Sequence, residues 1–296
     1  MKFFNEYASC LQTLRVADSA YAQIFKGIDP PVEELYICSR NLDDLLTRPR
    51  VAIVGTRKVT PYGRMVTERF SRELAGQGIV IVSGLAFGVD KLAHEAALAA
   101  GGQTIAVLPG SLSRIYPTAH TQLAERIINQ GGALISEYPI GSDIAYKNQF
   151  IERNRIVAGI SNALLITEAA KDSGTMHTAG FALNQGREVL AVPGDITKPY
   201  SEGTNNLLRT TRAQPATCTQ DVLDVLHLAA PLPKPPVRGG SAVEQRLLDL
   251  LKDTITTGEE LLARSELAVT EFNQALTMME ITGKIKALGN NHWAAR

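Results

Sequence analysis

Between residues 51 and 226 the chain repeats one unit: a short run of apolar and β-branched residues, then glycine and hydroxyl residues, then a stretch with helical spacing. The runs are VAIV (51–54), IVIV (79–82), TIAVL (104–108), ALIS (133–136), ALLIT (163–167) and EVLAV (188–192). None of them alternates with polar residues, so each is expected to be apolar on both faces, as in a parallel sheet covered by helices. Alternating β and α units with right-handed crossovers predict an α/β fold: a doubly wound, mostly parallel Rossmann-like sheet over residues 49–228. Thr60 followed by Pro61 opens one helix and Gly76 and Gly78 close it, while Asp90 and Thr118 are placed to cap two others.

In such a sheet, ligands bind outside the carboxyl ends of the strands. The segments there are GTRK (55–58), SGLAFGVD (83–90), PGS (109–111), EYP (137–139), Glu168 with SGT (173–175), and PGD (193–195). Gly55, Ser83, Gly84, Ser173 and Gly174 let backbone N–H groups approach an anion, and Arg57 and Lys58 add cations beside them. The spacing in SGLAFGVD is GxxxG, not GxGxxG, and no Walker lysine follows a glycine loop, so neither a dinucleotide nor any other cofactor is expected.

The segment FIERNRIVAGIS (150–161) carries polar groups on what otherwise reads as a buried helix. Ile151, Ile156, Val157, Ala158 and Ile160 mark its packing side; Arg153, Asn154 and Arg155, with Lys147 and Phe150 upstream, read as the rim of an anion site. Lys147 and Phe150 pair a cation with a stacking surface, as single-strand binders do. Arg153 and Arg155 have an alternative as ion-pair partners of Glu137, Glu152 or Glu168. His94 and His177 lack a second ligand at matching spacing, and no metal is expected.

Outside the central region, residues 1–48 read as a short, irregular, acidic segment, and residues 229–240 (AAPLPKPPVRGG) as an extended linker. Residues 241–296 follow as a small domain with LLDLL, a turn at 256–258, ELLARSEL, a helix at 270–280 and a closing hairpin. The chain has no net charge, and residues 48–228 carry 18 basic against 15 acidic residues, so any anion site is a local cluster. Cys10, Cys38 and Cys218 stand far apart in sequence and read as ordinary buried thiols. No stretch is long and apolar enough to span a membrane, and the amino terminus is too polar for a signal peptide, which points to a cytoplasmic protein without membrane association.

VAIVGTRKVTPYG, SGLAFGVDKLAHEAAL, IYP (115–117), FIERNRIVAGIS, LLITEAAKDSGTMHTAGFALNQGREVLAVPG and SEGTNNLL occur in an order and spacing that resemble the DprA (Smf) family of DNA processing proteins, from about residue 35 to 226. The carboxyl-terminal region resembles that family's winged-helix domain. The resemblance implies a dimeric, non-enzymatic protein that binds single-stranded DNA, protects it and loads the RecA recombinase in natural transformation, with single-strand-binding protein as a further partner. It makes Arg57, Lys147 and Phe150 the groove residues, Arg153, Asn154 and Arg155 the family's RNR, and Ser173 and Gly174 its SG turn.

The chain departs from that pattern at Ser111-Leu112-Ser113, where the family has a carboxylate, at His177, and in RTTRAQP (209–215), which lacks a usual glycine. Its first 34 or so residues are shorter than the SAM-like domain of some members. The competing expectation is an enzyme hydrolysing nucleoside monophosphates, with Glu168 as acid or base, although the PGGxGTxxE motif of that class is replaced by TEAAKDSGT. In the winged-helix region the helix that would enter a DNA groove carries acidic Glu271 and Glu280, which favours a protein contact over duplex reading.

Overall fold

A computed structural model describes residues 7–142, 147–228, 240–251, 256–282 and 284–295; the linker expected at 229–240 lies almost wholly outside them, as does the Lys147 side chain. The chain divides into two compact units, a large one carrying the main sheet and a small one formed by the carboxyl-terminal region together with Thr60–Met65.

The sheet is built from β1 (Leu11–Arg15), β2 (Glu34–Ser39), β3 (Arg50–Val54), β4 (Val80–Ser83), β5 (Thr104–Val107), β6 (Ala133–Ser136), β7 (Ala163–Ile166), β8 (Glu188–Ala191) and β9 (Gln214–Pro215), in the order β1-β2-β6-β5-β4-β3-β7-β8-β9. Strands β6 through β9 run parallel, while β2 joins β6 and β1 joins β2 antiparallel. All six runs read from sequence are strands of the parallel part. Their double-sided burial is met by alternation: Ile105 and Val107 pack with Val80 and Val82, and Ala106 and Leu108 pack with Leu123 and Ile127 on the other side. Full burial of each such aliphatic side chain contributes about 1.5–3 kcal/mol before entropy is charged against it.

The amino-terminal segment is not irregular, as its sequence suggested; β1 and β2 extend the sheet as an antiparallel pair. Polar and charged residues, including Arg15 and Glu34 at the open end, hide the strand pattern because an edge strand is half solvated. This pairing also aligns Leu11 with Cys38, so the thiols of Cys10 and Cys38 lie side by side, and burial pushes that of Cys38 up to about 12.

Helices α1 (Leu42–Thr47), α2 (Pro61–Ala75), α3 (Val89–Ala99), α4 (Thr121–Asn129), α5 (Lys147–Gly159), α6 (Thr175–Asn184), α7 (Glu202–Arg209) and α8 (Thr219–Val225) connect and follow the strands. Thr60 caps α2 by accepting the Gly63 N–H at 3.1 Å, and Gly78 leaves that helix with φ +84°. Asp90 and Thr118 do not cap as expected. The Asp90 carboxylate instead accepts N–H bonds from Gly84 and Ala86 in the preceding loop, and Thr118 opens a short turn ahead of α4.

In the small unit, α9 (Ala242–Leu251), α10 (Gly258–Ser265) and α11 (Val269–Ile281) bury Leu247, Leu251, Leu261, Phe272 and Met279 around a three-stranded sheet of β10 (Thr256–Thr257), β12 (His292–Ala295) and β11 (Ile285–Gly289). Asn290 and Asn291 both take positive φ, which sets the twist of the closing hairpin, and the Lys284 ammonium meets the Glu244 carboxylate at 2.5 Å. This is a winged-helix arrangement.

Candidate functional site

The strand order reverses between β3 and β7, and the crevice outside their carboxyl ends is where a doubly wound sheet can receive a ligand. There the loop after β3 is locked on both sides: Thr56 N–H donates to the Glu168 carbonyl at 2.8 Å, and Val89 N–H donates to the Thr56 carbonyl at 3.1 Å. Glycine serves packing here. A Cβ on Gly55 would stand 2.6 Å from Val89 Cγ2 and 2.7 Å from the Glu168 carbonyl oxygen; one on Gly88, at φ +81°, would stand 2.3 Å from that of Thr56. With its backbone fixed, the loop leaves Arg57 and Lys58 exposed.

Arg57 reaches across to α5, where its guanidinium carbon lies 5.6 Å from the centre of the Phe150 ring. Tyr116, from the loop after β5, meets the same ring edge-on, with centroids 5.4 Å apart at 72°. Three separate chain segments thus place a cation and two accessible aromatic rings together. A cation–π contact at an exposed site contributes about 0.5–1 kcal/mol, enough to orient the guanidinium while its edge donors stay available. Lys147 begins the same helix α5, one turn before Phe150.

Arg153 and Arg155 in the middle of α5 face inward, which corrects their reading as a rim, while Asn154 between them is half-buried. Arg153 is 5% exposed and donates to the Gly84 carbonyl at 2.5 Å and to the Val107 carbonyl, tying together the ends of β4 and β5. Burial pushes its pKa down to about 10, with Arg57 adding to the effect and Asp90 opposing it, so it remains a buried cation beneath Arg57 at neutral pH. Burial likewise raises the Asp90 carboxyl, against the pull of Arg153 and of the two loop N–H groups.

Arg155 is buried against Glu137 at 2.6 Å, the ion pair foreseen as the alternative to a ligand role. Asn154 accepts from Arg153 Nε at 3.1 Å. Ile151, assigned to the packing side, is instead exposed.

Other candidates divide in the same way. Ser83 is fully buried and donates to the Ile53 carbonyl at 2.7 Å, and Gly84 makes room for the Arg153 guanidinium, whose Cζ would be 2.5 Å from a Cβ there. Ser173 accepts the Thr175 N–H at 3.2 Å, shaping the first turn of α6, and Gly174 beside it is exposed. Glu168 is buried. Ser111 and Ser113, in the segment where the family pattern has a carboxylate, bond to each other at 2.9 Å and both accept the Gly141 N–H. Among the described residues no group of three His, Cys, Asp or Glu side chains is arranged to hold a metal ion.

Two residues at this edge were not singled out from sequence. Tyr116 is 47% exposed and Phe87 is 49% exposed. The available signal was an aromatic residue inside a glycine loop or just after a strand, at the edge where ligands enter.

Residues 12–227 match the family described as DNA recombination-mediator protein A, and residues 229–291 match the DprA winged helix domain. Protein Smf of Escherichia coli is 38% identical over 249 residues, which cover 81% of this chain and 66% of that protein. DNA processing protein DprA of Bacillus subtilis is 37% identical over 201 residues, covering 67% of this chain and 66% of its own. The chain thus spans about 66% of the length of each of these relatives.

Among solved structures, DNA processing protein A of Helicobacter pylori, studied for its single-stranded DNA binding mode, has 35% identity and a TM-score of 0.64 over 73% of this chain and 95% of that one. DprA of Streptococcus pneumoniae has 35% identity and a TM-score of 0.67, covering 74% and 76%. The motifs, the doubly wound sheet and these matches agree: the chain belongs to the DNA recombination-mediator protein A family.

Proposed function

We propose that the chain binds single-stranded DNA at the carboxyl edge of its sheet and passes the strand to a RecA-type recombinase, acting as a homodimer and without catalysis of its own. The observation that carries this reading is the placement of Arg57 over Phe150, with Tyr116 against the same ring. A guanidinium holds a phosphate while an aromatic face accepts any base, which is the chemistry of sequence-tolerant strand binding. The related Helicobacter pylori protein supports the choice of ligand, having been studied for its single-stranded DNA binding mode.

On this reading Arg57, Lys58, Lys147 and Phe150 touch the strand, with the Ser173–Gly174 turn at the border of the site. Ser83, Gly84, Arg153, Asn154 and Arg155 hold those residues in place from below. The small unit serves a protein contact: α11 exposes Val269, Met278 and Ile281 together with acidic Glu271 and Glu280, a composition poorly matched to phosphates.

A titration of single-stranded against duplex oligonucleotides over a range of salt, with and without recombinase, tests the proposal. We expect preference for the single strand, a slope of log affinity against log salt of about −0.7 for each phosphate held, and faster recombinase assembly on the bound strand. Equal or stronger duplex binding, or affinity independent of salt, contradicts it.

A further inference from the structure

We propose that Phe87 is a second stacking platform for a nucleobase, beside the Arg57–Phe150 pair; the inference rests on the single-strand reading and extends it. Phe87 sits at the tip of a loop that is rigid from every side. The Asp90 carboxylate holds the Gly84 and Ala86 N–H groups at 3.1 and 3.3 Å. Leu85 is fully buried with φ +59°, a backbone state that costs a non-glycine residue about 1–2 kcal/mol, and its carbonyl accepts a hydrogen bond from His120 Nδ1 at 2.7 Å. That bond puts the proton on Nδ1. The buried His120 ring then supports Phe87 from beneath, with centroids 4.7 Å apart at 65°.

A side chain anchored this firmly and still 49% exposed presents a fixed apolar face to solvent. Single exposed aromatics are common and carry no message; this one is continuous with the site. Gly88, the next residue, lies against the backbone of Thr56 and Arg57 so closely that a Cβ would overlap both. The segment that supplies His120 under Phe87 also supplies Tyr116 to Phe150, on loops that leave the neighbouring strands β4 and β5. Phe87 is thus tied to the site twice, through Gly88 to the loop that carries Arg57 and through the 116–120 segment to Tyr116 and Phe150. The occupant that fits is a further base of the same strand, because a base needs only a π-face and the loop against which Gly88 packs supplies the cations Arg57 and Lys58 for the strand's phosphates.

The test uses the full chain with an oligothymidine and the same oligomer made abasic, measured by fluorescence anisotropy. Phe87→Ala is expected to bind the intact oligomer about tenfold more weakly than wild type, and Phe87→Trp to remain within about twofold. On the abasic oligomer the difference between wild type and Phe87→Ala should vanish. Equal loss by Phe87→Ala on both oligomers overturns the stacking role, because the residue then acts through the loop. Unchanged binding by Phe87→Ala, while Arg57→Ala and Phe150→Ala weaken it, overturns this inference and leaves the single-strand reading standing. Failure of the wild type to bind either oligomer removes both.

Discussion

The guanidinium of Arg57, on the loop after β3, stands over the ring of Phe150 in the first turns of α5, 5.6 Å from its centre. This relationship joins a strand end to a helix that lies far away in the sequence. It depends on a scaffold beneath: the buried Arg153 guanidinium fastens α5 to the ends of β4 and β5, and Gly88 presses the neighbouring loop against Thr56 and Arg57.

Gly84 is the weak point of that scaffold. A Cβ at this position would lie 2.5 Å from Arg153 Cζ, so Gly84→Ala must displace a buried cation from two carbonyl partners. We expect a loss of about 2–4 kcal/mol in urea unfolding, because a buried charge is left poorly paired. An unchanged unfolding midpoint contradicts this role for Arg153.

The Arg155–Glu137 pair gives a separate prediction. Arg155→Met alone should destabilise the large unit by about 3 kcal/mol, since Glu137 loses its partner at a largely buried site. Combining Arg155→Met with Glu137→Gln should cost clearly less than the sum of the single changes. Simple additivity in this double-mutant cycle shows that the pair is not coupled.

His94 makes stability depend on pH. Its Nδ1 lies 2.6 Å from Thr104 Oγ1, and that hydroxyl donates onward to the Ile81 carbonyl, so His94 must carry its proton on Nδ1. Burial first, then the nearby His120 and Arg153 charges, depress its pKa from 6.5 to about 3. Above the unfolded pKa the ring is neutral in both states and nothing is lost. Below it only the unfolded chain takes up the proton, so stability falls as pH drops from about 6.5 toward 3, by up to about 1.4 kcal/mol for each pH unit. His94→Asn keeps a donor toward Thr104, and its stability curve should be flatter by that amount between pH 6.5 and 5. Parallel curves for the two proteins would exclude His94 as the source.

The winged-helix unit is expected to bind duplex DNA weakly. It has its own core of Leu247, Leu251, Leu261, Phe272 and Met279, so residues 241–296 can be measured alone. Tight, salt-sensitive duplex binding by that fragment would contradict a protein-contact role for α11.

The parallel strands were legible in the sequence because burial on both faces writes an unbroken apolar run, and the glycine-rich segments after them marked the ligand edge. β1 was not, since an edge strand shares its surface with water, and β2, although buried at Leu35, Ile37 and Cys38, places Glu34 and Tyr36 between its apolar residues and so lacks the unbroken run. Within α5, sequence identified the polar positions but not their direction. Arg153 and Arg155 look like ligand donors until the carbonyls of Gly84 and Val107 and the Glu137 carboxylate come within reach. Tyr116 and Phe87 escaped notice because exposure of an aromatic ring is a property of the assembled loops, and no local spacing encodes it.

The most direct test of the account is the affinity for a single-stranded oligonucleotide, measured across salt for Arg57→Ala, Phe150→Ala and the double variant. Each single change should weaken binding about tenfold or more at physiological salt, Arg57→Ala should lower the salt slope by about 0.7, and the double variant should lose less than the product of the two. A double variant that melts like the wild type and binds the strand with undiminished affinity would contradict the assignment of this site.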